Sequence, residues 1–412
     1  MISVGMDVSK GKSIVCIASR ASRVREPFQV FHTEEGLEGL CAQLTELSAR
    51  HQVRVVMEAT GIYHLPVLLH LQQAGLFVSV VNPLLMKKFA AQTIRKNKND
   101  KLDAIKIAAY GLEKWEQLKP FTPTQQVYEE LRLLGRQYTH YITLKIKCKQ
   151  NLSCLLERTM PGISTLISAN HTGTGGKDKL LDFVDTYWHY HNITAMGENA
   201  FVADYARWAR QYGYHPSEKK ARAIFQAAQR SVATLPATTP CCHLLIKQAL
   251  RSLREISQVA VEILMEMQQL AVTLPEYATV RAMDAVGDVL AVRLIAEIGD
   301  VRRFHSAKAL IAYAGIDSPE FQSGSFSANQ RHISKRGSSL LRKTGYEVMQ
   351  SLMRLHCTQS PVYQYILKKE AEGKPKKVAK IAGLNKFLRI YYAKVQQSYR
   401  FMERTRTYPI AC

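Results

Sequence analysis

Hydrophobic positions alternate with polar ones at the start of the chain: Ile2, Val4, Met6 and Val8 face one way, Ser3, Gly5, Asp7 and Ser9 the other. Asp7 therefore falls in mid-strand on the less apolar face. Two further apolar runs, SIVCIAS (13–19) and FQVFH (28–32), follow after short polar turns, which predicts three consecutive antiparallel strands. The pattern then changes period. A helix is expected over Glu35 to Ala49, a buried strand in VRVVMEATG (53–61) carrying Glu58 at its end, a helix from about Tyr63 to Ala74, and a strand FVSVVN (77–82). Next comes NKNDKLD (97–103), opening a helix whose apolar positions are Ala104, Ile105, Ile107, Ala108 and Leu112. Three antiparallel strands followed by β-α-β-α is the order of an α/β RNase H-like domain, in which mid-strand one, the end of strand four and the last helix are neighbours.

That order brings Asp7, Glu58, Asp100 and Asp103 within reach of one another. Asp100 and Asp103, three residues apart, share one helix face. Gathered carboxylates repel unless cations neutralise them, and hard oxygen ligands suit Mg²⁺ or Mn²⁺. Two such ions about 3.5–4 Å apart clamp the attacking and leaving oxygens of a phosphodiester. An isolated D-x-x-D also serves simply to offset a helix dipole. Here its basic surround, Lys87, Lys88, Arg95, Lys96, Lys98 and Lys101, favours a metal site built to receive a polyanion.

Beyond Gln126 the period is that of long helices. Val127, Leu134, Tyr141, Cys148 and Leu155, with Leu131, Tyr138 and Leu152, form one coiled-coil seam. Ile246, Ala249, Leu253, Ile256, Ala260, Ile263, Met267, Leu270 and Leu274 form a second. The two seams suit pairing within the chain or between protomers equally. In residues 161–240, HTGTGGKDK (171–179) lacks the Ser or Thr of a phosphate loop after Lys177 and reads as a flexible loop, and the histidines of WHYHN, His189 and His191, read as a surface feature. The chain divides into residues 1–120, 121–278 with an insertion at about 161–240, and a mainly α segment 279–412.

Charge narrows the partner. The 412 residues carry 56 Lys and Arg against 34 Asp and Glu, a formal +22, so a polyanion is expected and nucleic acid is the first candidate. No apolar run reaches the roughly 18–20 residues of a spanning helix, and the N-terminus has no signal-peptide pattern, so a cytoplasmic protein with no membrane partner is expected. The eight cysteines have no C-x-x-C spacing and read as reduced thiols. The stretch FQSGSFSANQRHISKRGSSLLRK (321–343) holds Arg331, Lys335, Arg336, Arg342 and Lys343, no acid, and many hydroxyls, the make-up of a phosphate-binding surface. On the residues alone, any of its serines suits a nucleophile. A basic tail follows, including Lys374, Lys376 and Lys377.

The strings VGMDVSK, MEATGIYHLPV, VVNPLLMKKFA and NKNDKLDA resemble the N-terminal DEDD, RuvC-like domain of IS110/IS1111-type transposases, DNA recombinases of insertion sequences. The segment from Thr279, VRAMDAVGDVLAVRLIAEIGDVRRFHSAKALIAYAGI, resembles the same family's C-terminal domain, although Asp284, Ala285, Val286 and Gly287 replace its usual P-G-I-G turn, so tight helix packing there is favoured over DNA contact. The resemblance implies a divalent-metal site of Asp7, Glu58, Asp100 and Asp103 and selects Ser323, in the family's Ser-Gly motif, as the nucleophile. Ser334, Ser338 and Ser339 are then positioning or capping hydroxyls. It further implies a phosphoserine intermediate, a non-coding bridge RNA as guide, and a homo-oligomer. Two rivals stand beside it: a metal-dependent nuclease or junction resolvase without a covalent intermediate, and a non-catalytic RNA- or DNA-binding protein.

Overall fold

The computed structural model describes residues 1–91, 99–122, 125–167, 177–318, 322–323, 326–327 and 332–407. The chain forms two compact units, Met1–Pro123 and Thr124–Cys412.

The first unit is an RNase H-like mixed sheet. β1 (Ile2–Ser9), β2 (Lys12–Ser19) and β3 (Arg23–Phe31) run antiparallel, α1 (Glu34–Arg50) crosses, and β4 (Val53–Glu58) returns parallel to β1. Then α2 (Leu65–Gln73), β5 (Val78–Val81) beside β4, α3 (Pro83–Ala90) and α4 (Asp100–Glu113) complete it, giving the strand order β3-β2-β1-β4-β5. Alternation sets the two faces. Ile2, Val4, Met6 and Val8 of β1 join Val53, Val55 and Met57 of β4 in a core shared with Leu37, Leu40 and Leu44 of α1 and with Val67, Leu68 and Leu71 of α2. Ser3, Gly5 and Asp7 point to the opposite face, and α4 lies there.

The seat of α4 is built from small residues. A Cβ on Gly5 would lie 2.2 Å from the backbone nitrogen of Ala108 and 2.4 Å from the carbonyl oxygen of Ala104. A Cβ on Gly111 would lie 2.2 Å from the Ser3 Oγ. The helix backbone therefore rests directly on β1, which Ala104 and Ala108, both fully buried, permit. Past the helix C-terminus, Arg54 of β4 donates to the Trp115 carbonyl and lies between Phe77 (4.7 Å) and Trp115 (4.5 Å), pinning that end to the sheet. The third strand begins at Arg23, five residues earlier than its apolar run suggests. The helix α3 was not read from the pattern, yet its start signal is present: Asn82 accepts a hydrogen bond from the Leu84 amide and Pro83 takes the first helical position.

Among the described residues the second unit is helical apart from one two-stranded ribbon. Its axis is α5 (Gln126–Thr159) packed along α11 (Cys242–Val272), so the two apolar seams meet within the chain. These helices join two cores. Between them in sequence, α6 (Ile163–Leu166), α7 (Lys179–Tyr187), α8 (Tyr190–Met196), α9 (Glu198–Gln211) and α10 (Glu218–Arg230) build an aromatic-rich core on Leu152, Leu156, Ile246 and Leu250. At the other end, α12 (Tyr277–Arg281), α13 (Asp288–Ile298), α14 (Ala307–Ala314), the ribbon β6 (Gln322–Ser323) and β7 (Phe326–Ser327), α15 (Ser339–Arg354), α16 (Pro361–Ala371) and α17 (Lys376–Thr407) follow. Most of these helices pack on Tyr128, Leu131, Leu264 and Met267. Here the buried Glu276 accepts hydrogen bonds from Tyr128 (2.6 Å) and Tyr399 (2.7 Å), joining the start of α5 to the end of α17. His189, expected at the surface, is buried: it caps α8 by accepting from the His191 amide, and its Nε2 meets the Leu235 carbonyl. A cap needs a side-chain acceptor, and here the imidazole Nδ1 supplies it.

The seat predicts a contrast between two glycines. Gly5→Ala forces the α4 backbone off β1 and is expected to destabilise the first unit by about 1–3 kcal/mol. Gly39→Ala, in mid-α1 with open space around it, is expected to stabilise by about 0.5–1 kcal/mol. Urea unfolding of the two variants checks both signs; a neutral Gly5→Ala contradicts the tight seat.

Candidate nucleic-acid-processing site

The register of the sheet places two of the expected carboxylates side by side. Met6 pairs with Met57 where β1 and β4 run parallel, so Asp7 and Glu58 follow as neighbours at the ends of that ladder, both half-buried and both on the face that carries α4. The other two come from α4. Asn99 caps the helix, its side chain accepting from the Lys101 amide and its carbonyl from the Asp103 amide, so Asp100 and Asp103 fill the first turn. Asp103 is half-buried and Asp100 exposed. Because Gly5 holds α4 against β1, that first turn lies over the strand ends, and the Glu58 carboxyl is pushed above its usual range by burial and by the Asp103 charge.

Asp103 spends part of its charge locally, accepting from Lys106 at 2.9 Å. Among the described residues no group of three or more His, Cys, Asp and Glu is drawn close enough to hold a metal ion in this conformation. Lys106 serves as a built-in counter-ion for Asp103. The donor chemistry nonetheless fits a hard divalent cation. All the candidate ligands are carboxylate oxygens, and Glu58, whose carboxyl is raised by burial and by the Asp103 charge, would be relieved by a cation there.

The basic residues divide by what they already hold. Lys101 is exposed on the first turn of α4, and Lys96, Lys98 and Arg331 lie outside the described residues. In the second unit, Lys335 (φ +52°), Arg336 and Lys343 are exposed around the start of α15, whereas Arg342 donates to the Ala314 carbonyl at 2.9 Å and braces the loop. Lys374, Lys376 and Lys377 are exposed at the start of α17. The loop before α15 is held firmly. Ser334 donates to Asp317, the Ser338 amide to the Tyr313 carbonyl at 2.6 Å, and a Cβ on Gly337 would lie 2.0 Å from that same carbonyl oxygen. Ser338 caps α15 at the Leu341 amide and donates to the buried Glu297 at 2.8 Å. Glu297 was missed in the sequence, although a single acid inside LAVRLIAEI is a signal for a buried polar partner. Ser323 occupies β6, paired with Phe326 of β7. In the turn before α13 Val286 is buried and Ala285 has φ +59°, whereas Asp284 and Gly287 are exposed and a Cβ on Gly287 would meet open space, so the tight packing expected there is confined to Val286.

Residues 4–161 match the family model DEDD_Tnp_IS110, described as transposase, and residues 277–364 match that of the transposase IS116/IS110/IS902 family. The chain is 23% identical over 411 residues to a pilin gene-inverting protein of Moraxella bovis, covering 97% of this chain and 98% of that one. A RuvC structure from T. thermophilus in complex with a Holliday junction substrate is similar over 29% of this chain and 99% of its own, at 15% identity and a TM-score of 0.23.

The raised Glu58 carboxyl carries a pH signature. A carboxyl whose folded pKa exceeds its unfolded value contributes stability that is present at low pH and lost as pH rises through the folded pKa. In metal-free buffer the wild type is therefore expected to gain melting temperature, relative to Glu58→Gln, as pH falls from neutral into the carboxylate range. Added Mg²⁺ is expected to raise the melting temperature of the wild type at neutral pH and not that of Glu58→Gln. Identical pH and Mg²⁺ responses in the two proteins would remove Glu58 from the site.

Proposed function

Because this chain belongs to the IS116/IS110/IS902 family of transposases, enzymes that act on DNA, we propose that it cuts and rejoins DNA through a phosphoserine formed on Ser323. The observation that carries this reading is the meeting of Glu58 and Asp103, with Asp7 in register beside Glu58, on one face of an RNase H-like sheet. The family match implies divalent-metal use; we assign Asp7, Glu58, Asp100 and Asp103 as ligands for Mg²⁺ or Mn²⁺, with two ions as the working number. Bound there, such ions supply charge stabilisation to a phosphodiester in the act of displacement.

The chain's own residues do the rest. In the proposed step the Ser323 Oγ attacks phosphorus, a P–Oγ bond forms, and the bond to the 3′-oxygen breaks. The serine proton is balanced by the one gained at the departing 3′-hydroxyl. The DNA 5′ end stays joined to the protein, and the phosphodiester's energy is conserved for rejoining without ATP. The exposed Lys335, Arg336 and Lys343 would bind backbone phosphates near that serine. Similarity over nearly full length to a protein named for inverting a gene supports rejoining as well as cutting, since an inverted segment must be resealed at both ends. The family resemblance adds a bridge RNA that pairs with donor and target DNA, and a dimer or larger assembly in which one protomer's carboxylates serve another's serine.

Three expectations test this. Asp7→Asn and Glu58→Gln should each lower strand cleavage by about 10⁴-fold or more while leaving DNA binding near wild type, because neither removes a cation from the surface. Ser323→Ala should bind DNA yet form no covalent adduct, read by denaturing-gel mobility of labelled DNA and peptide mapping. Ser338→Ala and Ser339→Ala should still form it. An adduct that maps elsewhere moves the nucleophile; cleavage with no adduct in the wild type makes the protein an ordinary metal nuclease. For the assembly, Asp7→Asn mixed with Ser323→Ala should regain activity if sites are shared between protomers, and stay inactive if each is built from one chain.

A further inference from the structure

The helices between α5 and α11 hold a charged surface that the proposed chemistry does not use. On α7 the acids turn toward α11: Asp182 and Asp185 accept from Arg254 at 2.9 and 2.6 Å, and Asp185 also accepts from Lys247 at 2.5 Å. Glu198 and Glu218, on α9 and α10, are both held by Arg222. With those carboxylates neutralised, lysines dominate around the N-terminus of α7. The Lys179 ammonium lies 5.3 Å from the centre of the Tyr214 ring and 5.4 Å from that of Tyr205. Lys177 donates to the Tyr212 carbonyl at 3.0 Å. Lys220, in the first turn of α10, adds its charge to Lys179, and Lys145 on α5 feels both Lys149, one turn on, and Asp178. Asp178 is bound in turn as the α7 cap, accepting from the Leu180 and Leu181 amides.

Five ammonium groups from three helices and the segment before α7 thus gather around carboxylates that are already held, Asp178 by the α7 amides and Asp182 by Arg254 and the Tyr214 hydroxyl. Burial and mutual repulsion push Lys145 and Lys179 below the ordinary lysine range. Such crowding opposes folding unless anions relieve it, and one small anion neutralises too little of it. The aromatic rings narrow the choice. Tyr212 and Tyr214 are half-exposed, and both stack on Trp208 at 5.4 and 5.6 Å with planes 31° apart, so the platform under them is rigid. Ammonium groups beside tyrosine faces match a chain of phosphates whose bases are free to stack, whereas a duplex keeps its bases inside.

We propose that this surface docks a segment of single-stranded DNA, the lysines binding its phosphates and Tyr212 stacking on a base. This rests on the chain acting on DNA and is independent of whether Ser323 is the nucleophile.

The test uses the full-length protein and a fluorescent oligothymidylate, with affinity read by anisotropy across a salt series. The triple variant Lys145→Gln, Lys179→Gln, Lys220→Gln should bind about 10-fold or more weakly, and its slope of log affinity against log salt should fall by about 2, since each single-strand phosphate contact contributes about 0.7. Tyr212→Ala should weaken the single strand and leave the annealed duplex unchanged. Arg251→Gln, exposed on α11 and paired with Glu255, serves as the control of equal charge type and should match wild type. Melting temperatures verify the fold, and adduct formation at saturating DNA reports the chemistry separately. Unchanged affinity and slope in the triple variant, equal losses on duplex and single strand, or a stronger effect on oligouridylate than on oligothymidylate would overturn the proposal.

Discussion

The contact on which the first unit depends is backbone against backbone. α4 can carry Asp103 to Glu58 only because Gly5 and Gly111 leave no side chain between helix and strand. A side chain at either position would collide with the facing helix backbone or with Ser3 and force α4 away from the sheet. Asp103 would then lose the proximity that shifts Glu58. The cation–aromatic clamp of Arg54 at the far end of α4 fixes the other degree of freedom, its tilt. Two glycines and an arginine, none of them chemical participants, thereby set the geometry of the carboxylates.

Much of this was legible in the residues. Strict alternation over Ile2 to Ser9 fixed which face Asp7 occupies, and the strand–helix order predicted that β1 and β4 are neighbours. The closeness of the approach was less plain, because a glycine in a strand is equally a bulge or a weak point; its meaning depends on the alanines it meets a hundred residues later. The same limit hid Glu297. Its isolation in an apolar helix marked it as a buried acid, but its partner Ser338 lies 41 residues on, and periodicity carries no information on pairing at that range. The lysine surface on α7 was obscured differently. Local charge counts see Lys177 and Lys179 beside Asp178, Asp182 and Asp185 and find balance, whereas folding turns the acids toward Arg254 and Lys247.

The two seams of α5 and α11 answer a question the heptads left open. Each helix is buried along a face against the other, and together they bridge two cores, so pairing within the chain is sufficient to explain the apolar stripe. An oligomer, if the chemistry requires one, must therefore use other residues. Exposed apolar side chains on the outer faces of the pair, such as Leu133 and Ile146 on α5 and Met265 on α11, are available for that without disturbing the internal seam.

Electrostatics links the two kinds of site. A strongly positive chain draws DNA from a distance and holds it through phosphates, but a positive field alone gives no cleavage. Where the chemistry is expected, Glu58 and Asp103 are neighbours close enough for the Asp103 charge to raise the buried Glu58 carboxyl, and Lys106 pairs with Asp103. Where only binding is expected, on α7 and at the start of α17, carboxylates are either turned away or outnumbered. Under the proposed reading, exposed lysines and arginines hold the polyanion while the neighbouring carboxylates of Glu58 and Asp103 are where a cation would be taken up.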